Sequence, residues 1–564
     1  MDLKNPVNAI LLLLLLFYAT VLATANIGFD LRDEGYYFLG YERNQDLFFL
    51  FSGSHKLIRL LPFSDHIVIN RIYRVVLILT ASLIFARSLN RACFTKDKFW
   101  IVFSWVLLAN TVSYLFGPIS LSYNTLNLLM LQVTFAVLID IYLSSHGLNK
   151  YKRFLRLLLF SFLLSLLIVN KPSTGALVTI LFAVSLFYLY RKIPGKAVKD
   201  LLFVGISSIV FTCTVYFLMY QDQLKLILSL LLQKQFYPGD QHLNFAFLFK
   251  QTLVKPFHDA KGVILFALAY LVIYFIWKKN IIRYKVFLSL FFLLLFLSIV
   301  SYHKFYYNGY AGAQFIYSYL LFIVIANYQL IKGKLKELDH SKKYIIVWLA
   351  LLPIIGFWGS DVPFFLGVLN LIGFHVLLFL FFQESRLYGF RIFSILIVGF
   401  AFYVNLFNPY SNPTVFQQKN KINSSKANLF VSDYVYDEYL ALLKVKPFIL
   451  ESDALINIGT PVGSLYLCEL KSFHTIYFNS VFFNNGYLQL IKNTTFNKRV
   501  QILYNKKSNH SDSYKKMKDG FYMFLLDKGY TLSKNIETEK YELVTLSPKS
   551  FVNGFGSEKL ADFN

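Results

Sequence analysis

The chain runs to 564 residues, of which 56% are hydrophobic, 18% aromatic and only 15% charged, against about 25% charged in an ordinary soluble domain. A composition this apolar excludes a soluble globular protein, because runs long enough to cross a bilayer recur through roughly the first 400 residues. The formal charge of +25 does not call for nucleic acid, since basic residues in short loops set the orientation of membrane spans.

In chain order, the opening LLLLLLFYATVLATA has the apolar core of a signal peptide. Many further spans follow it, so it is read as a retained first span. Thirteen spans are predicted, at roughly 8–25, 72–89, 99–116, 122–144, 155–170, 174–190, 201–219, 261–277, 286–302, 312–330, 345–358, 364–382 and 391–407. Basic clusters stand in every second connection. They are Arg91, Lys96 and Lys98; Lys150, Lys152, Arg153 and Arg156; Arg191, Lys192, Lys196 and Lys199; Lys278, Lys279, Arg283 and Lys285; and the lysines of KGKLKELDHSKK. The positive-inside rule then puts these loops and the N-terminus on the cytoplasmic side. The opposite face receives the first outer loop (26–71), a second outer loop (220–260), the GSDVP turn and the tail. Within the second outer loop, LKLILSLLLQKQF reads as an amphipathic helix at the membrane–water boundary.

The expected organisation is a membrane module over 1–407 and an extracytoplasmic C-terminal domain over 408–564. The tail is polar, then alternates short apolar runs such as GSLYLCEL and HTIYFNSVFF with Asn/Gly turns, which predicts a small α+β domain. No internal repeat is evident, which weakens an inverted-repeat transporter. Cys93, Cys213 and Cys468 are scattered without zinc-site spacing.

The stretch NIGFDLRDEGYYFLG sets three acids, Asp30, Asp33 and Glu34, just beyond the first span. One reading is that they only hold the loop in water, with Arg32 as a partner. The other is that carboxylates among Phe29, Tyr36, Tyr37, Phe38 and Tyr41 are partly dry and poised for proton abstraction or cation binding. In an extended chain Asp33 and Glu34 point to opposite faces, so one can face a site while the other holds the backbone or an arginine.

A polytopic chain with RDEGYYFLG directly after its first span resembles the GT-C superfamily of membrane glycosyltransferases, in its protein mannosyltransferase and aminoarabinose-transferase (family 39-like) branch. The resemblance implies a GT-C-like fold and transfer of a sugar from a polyprenyl-phosphate donor to a lipid, glycan or protein acceptor on the extracytoplasmic face. It places the catalytic carboxylate at Asp33, with Glu34 orienting it. Phosphate leaves without protonation once its charge is neutralised, so one base suffices for an inverting displacement. Candidate cations for that phosphate are Lys56, Arg59, Arg71, Lys171 and Lys304; Lys56 and Arg59 share a face if their segment is helical. Candidate substrate contacts are Asp30, Tyr36, Tyr37, Tyr123, Asn124, His303, Asn308, Trp358 and Asp361, with the aromatics suited to sugar faces. No resident metal or other cofactor is expected. Asp30 with Asp33 offers too few oxygens for a hard cation, which wants about six.

A transporter or lipid-linked sugar flippase is the alternative. It would place ionisable groups near the membrane midplane, whereas the predicted spans are almost empty of acids there, Asp140 lying near the end of one. The Lys/Asn/Ile/Phe/Tyr bias fits a low-GC bacterial genome, hence an inner-membrane location. Besides donor and acceptor, the expected partners are membrane lipids and no nucleic acid.

Overall fold

The computed structural model describes residues 6–42, 53–94, 98–115, 117–143, 150–190, 194–220, 261–279, 308–358, 371–385, 390–407, 409, 412–472, 498–508 and 511–548. The architecture is mostly helical, with a small sheet region in the tail. Among the described residues five helices are long and apolar enough to cross a membrane, or six if one pair bent by 77° counts as a single span, and six shorter apolar helices accompany them. The full set of thirteen spans is therefore not reproduced among the described residues. The predicted span at 286–302 lies outside them, as does the second outer loop beyond Tyr220.

Helix α1 (Pro6–Ala23) leads into the acidic stretch, which forms α2 (Asp33–Tyr41) and is followed by α3 (Ser54–Ile58). The chain then runs back and forth through α4 (Ile67–Cys93), α5 (Phe99–Thr111), α6 (Tyr123–Leu143), α7 (Lys150–Asn170), α8 (Pro172–Leu189) and α9 (Pro194–Tyr220). On α4 the inward positions Val75, Ile78, Ser82, Phe85 and Leu89 are buried, while Val76, Leu83 and Ile84 are exposed apolar side chains. That division has the helical period expected of a helix with one protein-facing and one lipid-facing side. α4 begins five residues ahead of the predicted 72 because Arg71 and Arg74, in its first two turns, point inward and are fully buried.

After α10 (Lys261–Lys278) come α11 (Asn308–Ala326) and α12 (Tyr328–Glu337), the bent pair. KGKLKELDHSKK was expected to be a loop, yet its first half continues α12. Lys, Leu and Glu are strong helix formers, and α12 buries none of its residues. α13 (His340–Phe357) starts where the Asp339 carboxylate accepts the Lys342 N–H at 2.8 Å, an N-cap that ends the basic connection. Within the predicted 364–382 span the described part is a short helix, α14 (Gly373–Leu377), tightening into a 3₁₀ segment over Leu378–Ser385. α15 (Phe390–Phe407) completes the helical module.

The tail holds a hairpin of β1 (Asn420–Asn423) and β2 (Asn428–Val431), then α16 (Asp433–Leu443). A four-stranded sheet follows, built from β3 (Ala454–Ile458), β4 (Val500–Asn505), β5 (Tyr530–Glu537) and β6 (Tyr541–Pro548) in the order β3-β4-β6-β5. Only β3 and β4 run parallel. α17 (Val462–Leu467) and α18 (Ser511–Asp527) connect its strands. GSLYLCEL falls on α17, and HTIYFNSVFF lies outside the described residues.

The tail is clamped onto the acidic loop. Phe430 of β2 donates its N–H to Asn26 at 2.9 Å and accepts that of Gly28 at 2.8 Å, a two-bond parallel bridge. Lys426 pairs with Asp65 at 2.9 Å and Glu42 at 3.5 Å. α2 meets α17 through two glycines, and a Cβ added to Gly35 would lie 2.2 Å from the Gly463 Cα. Backbone cannot yield as a flexible side chain can, so Gly35→Ala should lower the melting temperature, at an overpacking cost of about 1–3 kcal/mol. Gly399→Ala, where a Cβ meets nothing within 4 Å, is the matched control, and equal melting of the two variants would contradict the close approach.

Candidate functional site

The acidic stretch owes its shape to Asp30. Its carboxylate accepts the backbone N–H of Arg32 at 3.2 Å, of Asp33 at 2.8 Å and of Glu34 at 3.3 Å. These groups open α2 and have no partner inside the helix, so the acid one turn upstream satisfies them. Asp30 is 4% exposed. Burial and the neighbouring Asp33 carboxylate push its acidity constant up to about 7, more than the N–H donors pull it down.

Glu34 sits in the first turn of α2 and is buried at 2% exposure. Arg71 grips it, Nη2 lying 2.9 Å from Oε1 and 3.0 Å from Oε2, and Nε 3.2 Å from Oε1. The Ser120 hydroxyl donates to the same carboxylate, which also accepts the Asp30 N–H at 3.1 Å. The rest of the guanidinium is spent on loop carbonyls: Ala25 at 2.8 Å, Ile27 at 3.0 Å and Gly28 at 2.7 Å. One turn on, Arg74 donates to the carbonyls of Pro118 at 2.5 Å and Ser113 at 2.8 Å and lies 4.0 Å from the Tyr114 ring centre. Just ahead of Arg71, Asn70 accepts the Leu121 N–H at 2.8 Å and donates to the Ser64 carbonyl at 3.0 Å. The start of α4 therefore fastens the acidic loop on one side and Ser113, Pro118 and Leu121 on the other.

Arg71, expected to meet a donor phosphate, is 2% exposed with its guanidinium on Glu34 and three backbone carbonyls. Asp30, expected as a substrate contact, is likewise buried with its carboxylate on backbone N–H groups of the chain itself.

The remaining described candidates lie in α2 or at and beside other helix ends. Asp33 is half-buried at the head of α2. Tyr36 is buried beside Tyr37, with ring centres 6.5 Å apart, and Tyr37 packs edge-on to Tyr123 at 5.9 Å. Tyr123 opens α6 with half-buried Asn124 beside it, and its carbonyl accepts from Asn170 at 3.4 Å. Lys171 caps α8, and its ammonium lies 2.6 Å from the Gly356 carbonyl where α13 ends; Ser173 donates to the carbonyl of Trp358 at 2.7 Å. Lys56 reaches the Met219 carbonyl at the end of α9, and Arg59 reaches that of Gly40 at 2.7 Å. Lys56, Lys171 and Arg59 thus sit where helix C-termini present carbonyl dipoles, a setting that holds cations. Asn308 opens α11. His303, Lys304 and Asp361 lie outside the described residues.

Sequence reasoning does not reach Ser120, Asn70 or Arg74, nor the tail residues Gly463 and Tyr466, the last of which donates its hydroxyl to the Asp65 carbonyl. A usable signal was present for the arginines. Arg71 and Arg74 stand one turn apart where an apolar run begins, and such residues face a protein interior with partners. Among the described residues no three His, Cys, Asp or Glu side chains gather as a metal site.

No family model and no curated protein matches the chain. Among solved structures it is similar to the crystal structure of an oligosaccharyltransferase from Archaeoglobus fulgidus in complex with zinc and sulfate. The two are 12% identical with a TM-score of 0.42, and the match covers 94% of this chain and 72% of that one.

Arg71→Met should lower stability by about 3–5 kcal/mol, because it strands a buried carboxylate. Removing both partners, as Arg71→Met with Glu34→Met, should cost less than the sum of the two single changes. Thermal unfolding of the detergent-solubilised variants measures both, and simple additivity would refute the coupling. Asp30 gives a pH signature. Its constant is raised from the ordinary carboxylate value to about 7, so the folded state holds its proton more tightly than the unfolded chain. That contribution is complete below about pH 4 and is lost as the pH rises through 7. Asp30→Asn keeps one acceptor oxygen, which can serve the Asp33 and Glu34 N–H groups but not that of Arg32 as well. It does not titrate, so this pH-independent cost is separated from the pH-dependent part. Its melting temperature relative to the parent should therefore rise between pH 5 and pH 8, and a flat difference would contradict the shift.

Proposed function

We propose that the chain is a GT-C-type membrane glycosyltransferase acting at the membrane face that carries Asp33. It moves a sugar from a polyprenyl-phosphate donor to a hydroxyl-bearing lipid, glycan or protein acceptor with inversion. The observation that carries this reading is the unequal fate of the paired acids. Glu34 is sequestered by Arg71 and Ser120, while its neighbour Asp33 stays half-buried at the head of α2, one turn ahead of Tyr37, which packs on Tyr123. An inverting displacement at a lipid phosphate requires one positioned carboxylate base, with cations for the leaving group supplied from elsewhere in the site.

In this reading Asp33 accepts the acceptor hydroxyl's proton as the oxygen attacks the anomeric carbon. The bond from that carbon to the phosphate oxygen breaks on the opposite face, and the phosphate departs with the electron pair. Lys56, Arg59 or Lys171 offsets the charge it carries away. Their cations now rest on helix-end carbonyls, and a phosphate would displace those weaker acceptors. Glu34 holds the first turn of α2 so that Asp33 keeps its direction. Tyr37, Tyr123, Asn124 and Trp358 are assigned to sugar and acceptor contacts. No metal is invoked, and the basic loops are taken to face the cytoplasm of a bacterial inner membrane, the tail lying outside with the site.

Asp33→Asn keeps the side chain's size and removes its capacity to take a proton, so transfer from a polyprenyl-phosphate sugar by the purified protein should fall by at least about a thousandfold. Glu34→Gln, which weakens the grip of Arg71, should reduce transfer less and lower thermal stability more. Parental transfer by Asp33→Asn removes the base assignment. The alternative, a transporter or lipid-linked sugar flippase, would show movement of lipid or solute with no new glycosidic bond. A chelator that abolished transfer would replace the side-chain cations with a metal.

A further inference from the structure

At the end of the bundle opposite Asp33 lies a cavity of about 220 Å³ where α4, α5, α12, α13 and the 3₁₀ segment meet. Its lining includes apolar Phe94, Ile101, Val102, Leu380 and Phe381 and three lysines from three elements: Lys98 beside the start of α5, Lys334 on α12 and Lys342 in the first turn of α13. Glu337 is the carboxylate in this lining. It lies 3.3 Å from Lys334 and is 69% exposed, while Asp339, 3.3 Å from Lys342, is 56% exposed. Exposed pairs of this kind are weakened by solvent, and the lining itself carries three lysines against one carboxylate.

The surroundings fix the level of this cavity. α12 turns 77° away from α11 and buries none of its residues. It shows apolar Tyr328 and Leu330, 53% and 50% exposed, alongside Lys332, Lys334 and Lys336. A short helix of this kind lies along a membrane–water boundary. Trp100, 61% exposed in the first turn of α5, marks the same level, where aromatic rings collect. The volume is below the roughly 300–1,000 Å³ of sites that enclose a drug-sized molecule, which suits a small head group.

We propose that this cavity binds a phosphate group, supplied by the head group of an anionic membrane lipid. Basic pockets between membrane helices bind such head groups through charge and shape together. The proposal is independent of the transfer chemistry, which sits at the other end of the helices. The full-length protein, reconstituted in nanodiscs of phosphatidylcholine doped with phosphatidylglycerol and then released, would be weighed by native mass spectrometry. Retained phosphatidylglycerol should bind about a hundredfold more weakly to the K98Q/K334Q/K342Q triple variant, roughly fivefold for each lysine. The K332Q/K336Q/K343Q triple, on the same face but outside the cavity lining, should keep the parental level. K334Q alone, on a helix with no buried residue, repeats the test without touching the core. A melting shift with inorganic phosphate that needs the three lysines, in the absence of lysine-dependent lipid retention, would assign the site to free phosphate. Equal lipid retention by the parent and the cavity triple, with no phosphate shift, would overturn the proposal.

Discussion

The acidic face of this protein depends on one buried ion pair. Arg71 and Glu34 are both out of water, and neither could stay there alone, since an unpaired buried charge costs several kcal/mol. Their geometry is two-pronged, and every remaining lone pair or N–H is met by Ser120, by Asp30's backbone or by a loop carbonyl. Because the carbonyls belong to residues 25, 27 and 28, the guanidinium sets the path of the chain as it leaves α1. The direction of α2, and with it the exposure of Asp33, follows from that path.

The neighbouring elements repeat the same solution. Each helix that ends at this face leaves backbone carbonyls without partners. Long basic side chains arrive to meet them, Lys171 at the end of α13, Lys56 at the end of α9 and Arg59 at the end of α2. The cations proposed above for a leaving phosphate are thus residues that already finish helices, and in that reading their charge is in place before any substrate arrives.

Much of this was legible in the residues, though unevenly. Apolar length located most of the described helices to within a few residues. Read as an extended chain, RDEGYY puts Asp33 and Glu34 on opposite faces, whereas the two acids open helix α2, where adjacent side chains point about 100° apart. The partner of Glu34 was not readable as such. Arg71 looks like any basic residue near a membrane surface until its depth is known, and depth depends on packing between segments far apart in sequence. The helix inside KGKLKELDHSKK was masked by its charge, which signals a connection even where local propensity favours a helix. The docking of the tail depends on Gly35 and Gly463, more than 400 positions apart. Nothing local in either neighbourhood marks them as partners.

That last contact has a consequence for how the molecule comes into being. The acidic loop is made within the first tenth of the chain, yet β2 and α17, which close over it, are among the later segments to be synthesised. Until they arrive, Gly28 and Asn26 lack the strand that pairs with them, and the Gly35 face of α2 stands open. Contacts between segments so distant form late, because the intervening chain must be ordered first. The face that carries Asp33 is consequently finished only when the tail has been made and docked, and a chain cut short before β2 keeps its acids but lacks the strand that pairs with the loop.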